Sequence, residues 1–341
     1  MYTAEQILNI PVTEPERLFS KDAVKDERLT LIKAWHPDHN HDPKAGDVFH
    51  HIQVLYEKAV ERIEAGFWKT PGVVEIPGLN GKKYVIRFQK EHTFDLGTMY
   101  VQNRGITFVI DKKHKALFEN GQRFIRDFKF PAKKVEDDLR KFLPQPVATI
   151  ESGDYVGFVL RKTDDVLSLK DVLAHFGGQM PPKHACWVIS RLFNLACWMQ
   201  IEGVVHNSLS VDDIFISPPY HAVSILGGWW YAKQAGSSLR GQTLPARTLN
   251  VCPKSLFVDK IANTQVNGEL IKALGREILG DLTGPKLRMN KDIPQPLAEW
   301  LMTPAGPDVL KDYEIWREKV LKDSYGERRF TKLEITSSDI Y

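Results

Sequence analysis

The chain has 341 residues, 43% hydrophobic and 26% charged, which supplies a sizeable core and suits two unequal domains better than one or three. Its 46 basic and 43 acidic side chains leave a net charge of +3, too small to point to nucleic acid or an anionic membrane surface as partner. The N-terminus lacks the basic-then-apolar layout of a signal peptide and no long apolar run follows, so the chain is expected in the cytoplasm, with no membrane span. Cys186, Cys197 and Cys252 form no metal spacing and leave one unpaired, which suits a reducing compartment; Cys186 and Cys197 fall on one face of a helical pattern and read as core residues.

Thr3-Ala4-Glu5-Gln6 has the form of a capping box, and a short helix through Ile7, Leu8 and Ile10 should end at Pro11. A second helix carries Val24, Leu31, Ile32 and Trp35 at helical spacing, with Lys25, Arg28 and Lys33 on its polar face. His36 cannot easily stay helical before Pro37, so the helix stops there and the histidine is held extended. Asp42-Pro43 restarts the chain as N-cap and first helical residue. The third helix then runs through Ala45, Val48, Phe49, Ile52, Leu55, Tyr56, Ala59, Val60 and Ile63. Two helices joined by so short a loop should pack antiparallel and display His36 and Asp38 on an exposed connection. His36, His39, His41, His50 and His51 crowd this region, but His50 and His51 point to different sides of a helix and no cysteine joins them, so no metal site is expected.

The W-H-P-D-H-N, D-P-x-A and F-x-x-I-x-x-L-Y-E segments together resemble the J domain of DnaJ-type co-chaperones. The resemblance covers about residues 2–63 and implies docking on a DnaK-type heat-shock ATPase and stimulation of its ATP hydrolysis. It makes His36, Pro37 and Asp38 the indispensable loop, with Lys25, Arg28 and Lys33 steering toward a negatively charged partner. Thr30 and Ala34 stand where such domains usually carry further cations. The expected module is residues 1–66, followed by a linker at 67–72.

From residue 73 the texture turns to strands. Residues 73–76 and 83–88 flank Asn80-Gly81, a hairpin signal. A second strand pair, 97–101 and 105–111, surrounds Asn103-Arg104; a charged helix over 132–142 and strands near 147–150 and 155–160 follow. A short helix over 167–176 leads to a long one over 182–202, apolar on nearly every side and so the expected spine of a helical lobe. Trp229-Trp230-Tyr231 reads either as core beside that helix or as an exposed contact patch. Residues 232–248 lack apolar period and are expected to form a mobile loop.

G-V-V-H-N-S-L-S-V-D-D-I-F-I, followed by H-A-V-S-I-L-G-G-W-W-Y-A, is similar to the catalytic and metal loops of protein-kinase-like folds, H-R-D-L-x-x-x-N and D-F-G. Extended over about residues 73–335, the resemblance implies a two-lobed kinase-like domain at 73–341, so the whole chain is expected to be α+β: a small all-α helical hairpin, then a strand-rich lobe and a helical lobe. Within that resemblance His206 opens the catalytic loop, Ser208 takes the position of the catalytic aspartate, Asp213 that of the asparagine, and Gly227 or Gly228 that of the metal-loop aspartate. Gly97 is the remnant of the glycine-rich loop, with His92 and Phe94 in place of other glycines. Lys112, or Asp111 after a one-residue shift, takes the strand lysine position, and Glu136 that of the helix glutamate.

Two lost carboxylates should cost several orders of magnitude in phosphoryl transfer. The favoured expectation is a J-domain co-chaperone or adaptor with a pseudokinase body that serves a client or assembly, with no catalytic residue, metal or cofactor. An atypical kinase or nucleotide transferase using ATP and magnesium through Asp213, Glu136 and Lys112 is the alternative. A scaffold in which neither module keeps its partner is the third reading. The chain has neither a glycine- and phenylalanine-rich linker nor a cysteine-rich zinc module, which sets it apart from general-purpose DnaJ proteins.

Overall fold

The computed structural model describes residues 2–64, 68, 72–327 and 331–341. Most of the expected linker at 67–72, together with Gly66 and with Arg328, Arg329 and Phe330 of the closing segment, lies outside the described residues. The chain is a mixed α+β protein: N-terminal helices, then a sheet-rich lobe, then a helical lobe.

Helix α1 (Ala4–Leu8) starts at the anticipated capping box, the Thr3 amide donating to Gln6 Oε1 at 2.9 Å and the Gln6 amide to Thr3 Oγ1 at 3.3 Å. Helices α2 (Val24–Ala34) and α3 (Ala45–Glu64) pack as an antiparallel hairpin, with Arg28 opposite Gln53 and His36 opposite Phe49. Ala45, Val48, Ile52, Leu55 and Ala59 are buried against Ile7, Leu31 and Trp35. Each of the larger aliphatic side chains contributes about 1.5–3 kcal/mol by leaving water. Periodicity alone does not reveal Arg62, which is buried at the end of the same stripe. Its guanidinium donates to Glu16 Oε2 at 2.6 Å and to the carbonyls of Trp68, at 3.0 Å, and Thr13, which is what makes a buried charge tolerable.

Strands β1 (Gly72–Pro77) and β2 (Lys83–Phe88) pair antiparallel. Their connection is a 3-10 turn over Leu79–Gly81 rather than a two-residue turn, with Gly81 at a φ of 75°. The hairpin packs through Ile76 and Ile86 on Tyr100, Val109 and Ile150 of a larger sheet. That sheet comprises β3 (Lys90–Phe94), β4 (Gly97–Val101) and β5 (Gly105–Asp111), then, after helices α4 (Lys115–Arg126) and α5 (Lys133–Leu139), β6 (Pro146–Glu151) and β7 (Tyr155–Arg161). The strands are antiparallel in the spatial order β3-β4-β5-β7-β6. Strand β3 and helix α4 were not anticipated from the sequence; α4 buries Phe118, Asn120, Gly121 and Ile125.

The chain then enters the helical lobe through β8 (Leu167–Ser168) and α6 (Leu169–His175), whose N-cap Ser168 accepts from the Asp171 amide. Helix α7 (Pro182–Ile201) is buried on nearly all sides, as its composition requires. After it come β9 (Val204–Val205), β10 (Ile214–Ser217), β11 (Ala222–Ile225) and β12 (Lys233–Gln234), where β10 pairs with β11 and β8, and β12 with β9. Helices α8 (Ala246–Val251), α9 (Gln265–Ile278), α10 (Gln295–Met302), α11 (Val309–Ile315) and α12 (Leu321–Tyr325) complete the lobe. The expected loop at 232–248 is interrupted by β12 and ends in α8, so its two ends are built into the lobe. Trp229, Trp230 and Tyr231 are buried core residues, which settles the alternative left open by the sequence.

Cys186, Cys197 and Cys252 are free and buried. Burial pushes Cys186 and Cys252 up to about 12 and Cys197 up to about 11, so none is a thiolate near neutrality. A final turn, α13 (Ser337–Ile340), returns the chain to the N-terminal helices: Lys21 pairs with Asp339, and the Trp68 amide donates to the Tyr341 carbonyl at 3.2 Å. The buried Tyr341 hydroxyl accepts from the Ser168 amide at 2.9 Å, at the junction of the two lobes.

Candidate functional site: an exposed loop and an occluded cleft

The loop after α2 is held by its own polar side chains. Asn40 Nδ2 donates to the Ala34 carbonyl at 2.8 Å, and the His39 and Asn40 amides donate to the His36 carbonyl at 3.0 and 2.9 Å, satisfying the open end of the helix. The Asp42 amide donates to Asn40 Oδ1 at 2.9 Å and the Lys44 amide to Asp42 Oδ1 at 2.8 Å, which launches α3. Within the turn the Asp38 amide donates to His36 Nδ1 at 3.2 Å, so that nitrogen is the acceptor and the neutral ring carries its proton on Nε2. The ring meets Phe49 edge-on at a centroid distance of 5.3 Å. His36 is thereby oriented from two directions, while the Asp38 side chain is 79% exposed.

Lys25 and Lys33 lie exposed on α2. Arg28 does not join them: its Nε and Nη2 donate to Gln53 Oε1 at 3.0 and 2.9 Å, and its guanidinium sits 4.5 Å from the centroid of Tyr56. It fastens α2 to α3, so two of the three expected steering cations face solvent. The histidines do not converge either. His51 Nε2 contacts the Ile10 carbonyl at 2.8 Å, and among the described residues no His, Cys, Asp and Glu side chains group as metal ligands.

The second place where anticipated residues meet is a cleft of about 320 Å³ between the sheet-rich and helical lobes. Ser208 and Asp213 line it, and His206 and Gly227 lie directly behind. Ser210 Oγ donates to Asp213 Oδ2 at 2.8 Å and Ser208 Oγ to the same oxygen at 3.3 Å, while the Leu226 and Gly227 amides donate to the Asp213 carbonyl. Burial pushes the Asp213 carboxyl up to about 8, with the two hydroxyls too weak to restore the charge. Burial likewise holds His206 down at about 3, and its Nε2 donates to the Gly227 carbonyl at 3.1 Å. Near neutrality both groups are therefore uncharged. Gly228, at a φ of 76°, fits between them: a Cβ there would come within 2.5 Å of His206 Cε1 and 2.9 Å of Asp213 Oδ1.

The remaining anticipated residues stay out of the cleft. Lys112 follows β5 and donates through Nζ to the Ser152 carbonyl at 3.0 Å, and Asp111 pairs with Lys113. The core side chains of β5 are Ile106, Phe108 and Ile110, and it is Phe108 that lines the cleft. Glu136 lies on α5 and pairs with Lys133 at 3.2 Å. The helix behind the cleft is α4, and it presents Asn120, whose Nδ2 donates to the Trp230 and Ala232 carbonyls, each at 3.0 Å. Gly97 begins β4, where a Cβ would meet the Val109 carbonyl oxygen at 2.0 Å, so strand packing requires the glycine.

Three contacts missed in the sequence narrow the cleft. Phe94, the last residue of β3, stacks on Trp230 of the helical lobe at 5.2 Å, and Phe108 meets the same indole edge-on at 5.1 Å. His92 Nε2 lies 2.9 Å from Asp171 Oδ2 on α6, both side chains buried. Their signal was present as His92 and Phe94 standing where glycines were sought, but their partners lie 79 and 136 residues away. Neither a family model nor a curated protein matches the chain.

Proposed function

We propose that the chain is a J-domain co-chaperone or adaptor that recruits a DnaK-type heat-shock ATPase through His36, Pro37 and Asp38 and stimulates it. The observation that carries the reading is the loop itself, a rigidly presented His-Pro-Asp turn with its aspartate in solvent at the tip of an antiparallel hairpin. A carboxylate so placed lies open to a partner's arginine. Lys25 and Lys33 supply the attraction that orients the encounter.

The larger body is read as a kinase-like domain without phosphoryl-transfer chemistry, serving a client or assembly. Support for the kinase-like part comes from a five-stranded antiparallel sheet with a helix after its third strand, a helical lobe below, and His206, Ser208, Asp213 and Gly227 gathered at the interface. Support for its degeneracy comes from a protonated Asp213, a serine at the base position, an aromatic stack through the cleft, and Lys112 and Glu136 engaged elsewhere. The atypical kinase or nucleotide transferase is the weaker reading on the same grounds. The reading invokes no cofactor and places the protein in the cytoplasm with its chaperone.

Single-turnover ATP hydrolysis by a DnaK-type protein tests it. Wild-type chain should accelerate hydrolysis several-fold, and His36→Gln should remove the acceleration without changing the far-ultraviolet spectrum. Equal rates with wild type and variant, or no acceleration by wild type, would refute the reading.

A further inference from the structure

The N-terminal module and the larger body keep separate cores: Ile7, Leu31, Ile52 and Leu55 belong to one buried cluster, and Val188, Ile189 and Leu192 of α7 to another. A change in how the two parts sit together therefore leaves both cores packed. The closing residues 333–341 touch both parts. Leu333, Ile335 and Tyr341 are buried in the core of the body, and the Tyr341 hydroxyl accepts from the Ser168 amide at the start of α6. Helix α6 in turn reaches both lobes, with Asp171 beside His92 of β3 and Lys170 paired with Asp212 at 2.6 Å. The segment is thus anchored where the two lobes meet.

Toward the N-terminal module the contacts are polar. Asp339 divides its two oxygens: Oδ2 accepts from the Thr336 amide and hydroxyl, each at 2.6 Å, which closes the turn α13, and Oδ1 takes Lys21 Nζ. Lys21 and Asp339 are 18% and 27% exposed, so solvent screens this pair less than it would a surface pair. Lys21 stands in the turn that leads into α2. Ser20 beside it donates to Glu27 through its amide at 2.6 Å and its hydroxyl at 2.8 Å, so a pull on Lys21 passes to the helix whose far end carries His36. The second contact is the Trp68 amide on the Tyr341 carbonyl; Trp68 packs on the module core, and its own carbonyl accepts from Arg62.

We propose that residues 333–341 form a releasable clasp: apolar burial keeps the segment on the body, while the Lys21–Asp339 pair and the Trp68–Tyr341 bond hold the N-terminal module, and with it the His36-Pro37-Asp38 loop, in a single orientation. The module side opens first, because water can replace an ion pair and a hydrogen bond at small cost, whereas withdrawing Leu333, Ile335 and Tyr341 exposes apolar surface. Opening frees the module to turn as a unit with the segment still seated on α6. This goes beyond the co-chaperone reading and needs neither a chaperone nor a client.

Single-molecule energy transfer on the full chain tests this, with dyes on Glu57→Cys of α3 and Lys311→Cys of α11, both exposed positions. The three native thiols are buried and do not compete for the dyes. The otherwise unchanged chain should give one narrow population. Lys21→Glu, which turns a like charge on Asp339, should raise the fraction outside that population about tenfold. Asp339→Asn keeps the Thr336 bonds through Oδ1 but drops the charge, and should raise it severalfold. Lys21→Arg, and Asp22→Asn at the exposed neighbouring position, should leave it unchanged. Amide hydrogen exchange in α6 should be the same in Lys21→Glu as in wild type, because the segment stays seated there. Thermal melting verifies that each variant is folded. A broad distribution in the parent chain, an unchanged narrow one in folded Lys21→Glu and Asp339→Asn, equal broadening by Asp22→Asn, or faster exchange in α6 of Lys21→Glu would each overturn the proposal.

Discussion

Replacing Asp213 by asparagine should change the pH dependence of stability in a defined direction. The folded carboxyl holds its proton to about pH 8 because burial penalises the ion, whereas the unfolded chain releases it near the ordinary value of 3.8. Between those values the folded state binds one proton more than the unfolded, so stability falls as pH rises. Each pH unit in that window carries about 1.4 kcal/mol, so the loss from pH 5 to pH 8 approaches about 4 kcal/mol at most, and about 2 kcal/mol once water entry and relaxation soften the burial. An asparagine accepts the Ser208 and Ser210 hydroxyls through Oδ1 and has no proton to lose. Urea unfolding followed by tryptophan fluorescence at pH 5, 6, 7 and 8 measures the difference between variant and wild type, in which other titrating groups cancel. That difference should grow in favour of Asp213→Asn by about 2–4 kcal/mol across the series. Parallel curves, with the difference constant to within about 0.5 kcal/mol, would show that Asp213 is ionised in the fold and would remove one support for an uncharged, non-catalytic cleft.

Three further outcomes follow from named contacts. Gly228→Ala must place a Cβ against His206 and Asp213 at positive φ, and should cost about 2–4 kcal/mol in the same urea assay. Arg62→Ala strands Glu16 and two carbonyls in a buried site, and the expected loss of about 3–5 kcal/mol should appear as faster amide hydrogen exchange throughout α3. The three cysteines, buried and held as thiols, should resist a disulfide reagent at pH 8 in the native protein and all react once denaturant is added; rapid labelling of the native chain would contradict their packing.

The helical hairpin was legible because its determinants are local. A capping box, a proline after His36 and an apolar stripe each act over a few residues and appear where the pattern put them, whereas the Asp42-Pro43 start falls two residues early: Pro43 stands in the turn before α3, which begins at Ala45. The strands of the second lobe were legible where turn residues flanked them, and β3 was lost because Lys90-Glu91-His92 has no apolar alternation to announce it. Helix α4 carries its apolar residues in pairs, Leu117-Phe118 and Phe124-Ile125, seven apart, a signal overlooked in favour of the more charged α5.

The sequence by itself determined that His36-Pro37-Asp38 would be an exposed turn between helices, since a proline's steric clash and two helix caps require nothing from the rest of the chain. It also determined that Ser208, Gly227 and Gly228, in the segments around His206, carry no carboxylate. Only the tertiary structure decided which charges reach solvent and which cleft residues meet. Arg28 is spent on Gln53 and Tyr56, Lys112 and Glu136 are drawn away from Asp213, and Phe94 and His92 close on Trp230 and Asp171. Those outcomes depend on contacts between residues distant along the chain, and burial, which sets the protonation of Asp213 and His206, exists only once both lobes have closed around them.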